Sequence, residues 1–166
     1  YSGPDDRFVS VTYVRSSSEA DSNGFDTYFG NIRNPIIRPN QFSLTPVDVP
    51  DRLIIQAAWP VWKRWTVSPL WEVRDGFPFS AVDENQALVG APYRGGRFPL
   101  LSTFDISISR LVTIRNREFR IGARANHLFK SFAPRDAQGN VDSGAFGTFY
   151  NSFPRSLGLI IQLTPR

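Results

Sequence analysis

The chain contains no cysteine, so it holds neither a disulfide framework nor a thiolate metal site. Its single histidine, His127, excludes a multi-histidine centre. No apolar run reaches the roughly 18 residues that a membrane-crossing helix needs. No charged segment followed by an apolar core stands at the start, and Tyr1 is not an initiator. The chain therefore reads as processed or as a piece of a longer polypeptide. Lysine is nearly absent: of 19 basic residues, all but Lys63 and Lys130 are arginine. The net charge of +4 raises the possibility of a nucleic-acid partner. The arginines are scattered, however, with no basic run and no RNA-binding signature, so no nucleic acid is expected. A polar face in water, or contact with an anionic surface or substrate, accounts for them. A convincing 3.6-residue period is also missing, so essentially no helix is predicted.

What is present is alternation. From Phe104 the even positions read Phe104, Ile106, Ile108, Arg110, Val112 and Ile114, with Asp105, Ser107, Ser109 and Leu111 between them. Beyond Arg115-Asn116, Phe119, Ile121, Ala123 and Ala125 take the odd positions against Glu118, Arg120, Gly122, Arg124 and Asn126. A period of two over this length means strands, because successive side chains point to opposite faces. A two-residue turn at Arg115-Asn116 pairs Ile114 with Arg117, Val112 with Phe119 and Ile108 with Ala123. The apolar faces of the hairpin then coincide, and so do the polar ones.

The pattern recurs along the chain. Arg7 to Ser16 alternates around Val9, Val11 and Tyr13, and Asp51 to Trp59 presents Leu53, Ile55, Ala57 and Trp59 on one side. After a tight turn around Pro60 to Arg64, Trp65 to Arg74 presents Trp65, Val67, Trp71 and Val73. Pro69 shares that face and cannot donate to a ladder, which predicts a bulge or a weak pairing. Arg155 to Thr164 alternates around Leu157, Leu159, Ile161 and Leu163. Residues 17–50, 75–101 and 130–154 form long loops, a type usually functional inside a compact domain. The expectation is one all-β domain over residues 1–166: an antiparallel meander of about six long strands.

A sheet that is apolar on one face and charged on the other fits a soluble sandwich with that face in its core. It equally fits an outer-membrane barrel with that face in lipid and the polar face toward the lumen. The connections favour the barrel, since they run long, short, long, short, long, as short periplasmic turns and long external loops do. Strands of about ten residues suit a tilted bilayer crossing. Trp59, Trp62 and Trp65 cluster at the first short turn, where an aromatic girdle would sit. Arg110 interrupts the apolar face near a strand end, within reach of the interface by snorkelling. Six strands cannot close a barrel alone, so the sheet is expected to be part of a larger transmembrane β-barrel.

Several segments carry a family resemblance: Asp26-Thr27-Tyr28-Phe29-Gly30-Asn31, Asp48-Val49-Pro50-Asp51-Arg52, Gly76-Phe77-Pro78-Phe79-Ser80 and Arg97-Phe98-Pro99. Thr103 to Ser109, Asn126-His127-Leu128-Phe129 and Phe146-Gly147-Thr148-Phe149-Tyr150-Asn151 continue the series. In order and spacing, these resemble the C-terminal barrel strands of TonB-dependent receptors, in particular the group with a carboxypeptidase-regulatory-like N-terminal domain. The resemblance implies a barrel of about 22 strands around a plug, with this chain supplying the last six. It further implies a bacterial outer-membrane location and uptake of a scarce solute of the siderophore, glycan or peptide class. The implied partners are the remainder of the barrel, its plug, outer-membrane lipid and a TonB-type energising protein. That family's closing strand commonly ends in an aromatic residue. Here Pro165 cannot extend a ladder, so strand six should stop at Leu163 or Thr164. The competing reading is a stand-alone β-sheet binding or structural module, either soluble or packed in a larger complex.

No catalytic residue is assigned and no enzyme is expected. His127 falls by parity on the outer face across from Phe104, where its neighbours are Phe, Ile and Leu and no serine stands in reach. Glu72, Arg74, Asp105 and Arg124 are placed on the polar, lumen-facing side. They are positioned to contact a plug or solute, or else to form a self-compensating polar wall. Candidate ligand-binding residues lie in the loops: Tyr28, Phe29, Asn31 and Arg33, then Tyr93, Arg94 and Arg97, then Phe149, Tyr150 and Asn151. They combine aromatic faces with polar reach. Packing of the loops against one another explains the same composition. No cofactor or metal is expected, because Asp5-Asp6, Asp21 and the Asp136/Asp142 pair lack a Ca²⁺-loop pattern and suit turn formation.

Overall fold

A computed structural model describes residues 7–21, 42–62, 64–115, 117–129 and 131–163. Its strands, in order, are β1 (Phe8–Arg15), β2 (Glu19–Asp21), β3 (Phe42–Leu44), β4 (Asp51–Trp62), β5 (Trp65–Arg74) and β6 (Pro78–Phe79). Then come β7 (Gly96–Arg97), β8 (Leu101–Ile114), β9 (Arg117–Asn126), β10 (Pro134–Ala137), β11 (Phe149–Ser152) and β12 (Ser156–Leu163). The described residues contain no helix. Six long strands form one antiparallel sheet in the order β1-β4-β5-β8-β9-β12, a meander, and the short strands pair within the loops as β2-β3, β6-β7 and β10-β11. The sheet is open, with β1 and β12 at its edges.

The central hairpin has the register that its alternation dictates. Ile114 opposes Arg117, Val112 opposes Phe119 and Ile108 opposes Ala123. The apolar positions continue as rows across the strands. One row runs Trp59, Val67, Ile108, Ala123, Leu159, and a second runs Val11, Ile55, Trp71, Phe104. The opposite face carries Thr12, Ile54, Glu72 and Thr103 in one row and Ser68, Ser107, Arg124 and Gly158 in another. A one-residue slip anywhere would turn a whole strand inside out.

Both prolines in the sheet leave local marks. Pairing of β4 with β5 lapses across Ala57–Ala58 and Ser68–Pro69 and resumes in the same register, with Trp59 against Val67. Pro69 keeps its place opposite Ile106 on the other side, so it weakens one ladder without a bulge. The register shift falls between Pro60 and Trp62. It lets β4 run through Pro60 to Trp62, three residues beyond the expected end at Trp59, and sets Trp62 against Trp65. The turn is therefore tighter than the stretch from Pro60 to Arg64.

Among the described residues nothing covers the apolar face. Among the described hydrophobic residues only Ala81 and Ala133 are buried, and both lie in the long loops. On β12, Leu157, Leu159 and Ile161 are 77%, 86% and 77% exposed. Val11, Trp59, Trp71, Ile108 and Ile121 are exposed as well. Arg110 sits on this face opposite Trp65, its guanidinium 5.9 Å from the ring centroid. Arg7 likewise lies 5.1 Å from the Trp59 ring. These two guanidinium groups are thus carried against indoles.

Candidate functional site

All three long connections leave the sheet at one end, after β1, β5 and β9, while the β4-β5 and β8-β9 turns occupy the other. The loops are packed there into a cap. Its hub is Asp48, almost fully buried, whose carboxylate accepts from the Ser18 N–H at 2.6 Å and pairs with the Arg97 guanidinium. Arg97 also donates to the carbonyls of Asp48 at 3.1 Å and Gly76 at 3.2 Å. Burial pushes the Asp48 carboxyl upward, but the Arg97 hydrogen bond, the Ser18 N–H and the Arg97 charge outweigh it and hold the group below the usual carboxylate range. The Ser43 hydroxyl donates to Pro92 O at 2.5 Å, and Arg94 pairs with Glu19 at 2.8 Å. These contacts tie the first loop to the second.

The second and third loops join through backbone and aromatic contacts. The Val82 N–H donates to Gly139 O at 2.8 Å, and the Val141 N–H to Val82 O at 2.9 Å. Phe79 sits edge-on to Phe98, Phe146 and Phe149, with centroids 6.0–6.3 Å away. Asp142 accepts from the Glu84 N–H at 3.1 Å and Asp136 from the Asn151 side chain at 2.7 Å, so both acids hold loop geometry. Among the described residues no group of three His, Asp or Glu could hold a metal. Asp5 and Asp6 lie outside the described residues.

Tyr28, Phe29, Asn31 and Arg33 also lie outside the described residues. Arg97 is committed to Asp48 and Phe149 to the aromatic cluster. Asn151 pairs with Asp136, and the Tyr93 N–H donates to the Ser80 hydroxyl at 2.9 Å. Arg94 and Tyr150 remain exposed at the surface. These six residues hold the cap together from several sides and do not line one cavity. Glu72, Arg74, Asp105 and Arg124 do share one face of the sheet, as their parity requires: Leu70 opposes Asp105 and Ser107 opposes Arg124. Glu72 joins Arg52 at 2.9 Å and Arg74 at 3.5 Å into a small ion cluster near the loop end.

His127 departs from its expected place. Strand β9 ends at Asn126, and His127 takes a left-handed backbone with φ 53°, so parity does not carry past it. Its N–H donates to the Asp105 carboxylate at 2.9 Å, and the Leu128 N–H donates to Phe104 O at 2.8 Å. The ring beside Phe104 is that of Phe129, at 5.0 Å, while His127 stacks on Phe153 at 6.1 Å.

The cavity that the cap does form was not legible in the sequence. It measures about 270 Å³ and is walled by Arg74, Phe77, Phe98, Leu101, Arg135 and Phe153, with Gly76, Pro99 and Pro134 between them. Arg74 lies 4.1 Å from the Phe77 ring centroid, and Arg135 lies 5.1 Å from that of Phe153. The only available signal is that the second and third loops each place an Arg or Phe next to a strand end. A second groove, about 340 Å³, runs along the polar face past Gln56, Ser68, Asp105, Ser107, Arg124 and Asn126.

The fold and this loop end define an open, amphipathic, six-stranded antiparallel sheet with a structured cap. The sequence matches no protein-family model, and no curated protein or solved structure matches it.

Proposed function

We propose that this chain forms part of the wall of a bacterial outer-membrane β-barrel of the TonB-dependent-receptor type, which takes up a scarce solute. The observation that carries the reading is the bare apolar face. Leu157, Leu159 and Ile161 are each at least 77% exposed, whereas a soluble sandwich would bury such a row. Burying one such side chain is worth about 1.5–3 kcal/mol, so a face of this extent is stable only against lipid or more protein. Long connections at one end, tight turns at the other and indoles at the tight-turn end support lipid.

In this reading the open edges at β1 and β12 pair with further strands of the same barrel, and the polar face with Glu72, Arg74, Asp105 and Arg124 looks toward a plug. The cap faces outward, and its exposed Arg94 and Tyr150 are the first groups an arriving solute meets. Energy for transport comes from a TonB-type partner acting through the plug. The test is the intact mass and the partitioning of the native polypeptide. Extraction from the outer membrane only by detergent, at several times 18.7 kDa, is the expected outcome. A water-soluble species would overturn the reading in favour of a module packed in a larger complex. A membrane species near that mass would retire transport in favour of an assembly role.

A further inference from the structure

The geometry points to a binding site for a small carboxylate carrying a flat or apolar body, in the cavity between Arg74 and Arg135. Two guanidinium groups line this one space of about 270 Å³, and no carboxylate among the described residues lines it. Each guanidinium lies over a phenyl ring, Arg74 over Phe77 and Arg135 over Phe153. A stacked guanidinium has its face occupied and its edge free, and that edge is the two-pronged donor that fits a carboxylate. Arg74 spends part of its edge on Glu72 and on Asp75 O. Arg135 has no ion-pair partner among the described residues.

The remaining wall suits the other end of such a ligand. Phe98, Pro99 and Leu101 are apolar, and Phe98 is held in place by Phe79 and Phe149 at 6.1 and 5.3 Å. Phe153 is fixed by its N–H bond to Ala133 O at 3.0 Å and by the His127 ring on it. The volume falls just below the ~300 Å³ at which sites for larger ligands begin, so a single ring with one acid group fits. The walls come from the loops after β5 and β9 and the segments entering β8 and β12, so the rigidity of the cap preforms the cavity. None of this depends on whether the sheet lies in a membrane.

The test uses the full native protein and two probes of nearly equal shape, phenylacetate and the uncharged phenylacetamide, with binding read by ligand-observed NMR. Phenylacetate should bind at least tenfold more tightly than the amide. Arg135→Gln should weaken phenylacetate about tenfold and leave the amide unchanged, and Arg135→Lys should fall between Gln and the native residue. Arg117→Gln, at the far tight turn, removes the same charge elsewhere and should change neither probe. Equal binding of the two probes, equal loss in the Arg117 and Arg135 variants, or no binding at all would each overturn the assignment.

Discussion

Asp48 is a carboxylate taken almost wholly out of water, and it stays ionised because Arg97 and the Ser18 N–H reach it together. Removing one partner of such a pair leaves the other uncompensated, at a cost of about 2–3 kcal/mol where one side chain retains some solvent. Asp48→Asn and Arg97→Gln should therefore each loosen the cap by roughly that amount. Hydrogen exchange at the Ser18 amide is the direct readout, and unchanged protection in both variants would rule out the role. The pH dependence follows in sign. Because the folded pKa is depressed, the contribution is complete above the unfolded carboxylate value of about 3.9. It is lost as the pH falls from there through the folded value. Arg97 illustrates why site residues resist reading: an arginine in a loop looks free, and nothing local shows that a carboxylate 49 positions away claims it.

Gly122 and Gly158 differ in the space around them. A Cβ at Gly122 would lie 2.1 Å from Ile108 O and 2.8 Å from the Ser109 Cβ, whereas one at Gly158 would meet nothing within 4 Å. Gly122→Ala should destabilise by about 1–3 kcal/mol through overpacking. Gly158→Ala should be neutral or gain about 0.4–1 kcal/mol by restricting the unfolded chain. Equal unfolding midpoints for the two variants would contradict the close approach of β8 and β9 at Gly122.

At the scale of elements, the long strands were legible because period-2 alternation fixes both strand and register; the central hairpin pairs residue for residue as its pattern requires. The expected span of Trp65–Arg74 coincides with β5. The end of β4 was missed because a bulge absorbs Pro60, and a bulge has no compositional mark. The loop strands β2, β3, β6, β7, β10 and β11 were missed because two to four residues are too few to show a period. They order the cap through partners distant in sequence. The apolar row from Trp59 through Val67, Ile108 and Ala123 ends at Leu159. Leu159 lies midway along β12, and Leu159→Arg should cost about 2–4 kcal/mol if that row faces the middle of a bilayer. An exposed position in water would change by less than about 0.5 kcal/mol. Denaturant unfolding of the native protein in lipid vesicles distinguishes the two, and the smaller value would retire the lipid-facing assignment of β12.

For the whole molecule, the decisive property is polarity along the strands: a folded cap at one end, bare tight turns at the other, and an uncovered apolar belt between. In a membrane wall the two ends meet different compartments, and the cap should be outside. These 166 residues contain no cysteine, so a thiol introduced among them has no native counterpart within this sheet and cap. Gly144 is exposed in the third loop and has open space for a side chain, and Glu118 is exposed beside the β8-β9 turn. In intact cells an impermeant maleimide should label Gly144→Cys and spare Glu118→Cys, and both should react once the membrane is broken. Equal labelling in intact cells would mean that the sheet does not separate compartments, and labelling of Glu118→Cys alone would mean that the orientation is inverted. That pattern would place the arginine-lined cavity on the outer side together with the cap, because its walls are the cap ends of β5 and β8 and the second and third loops.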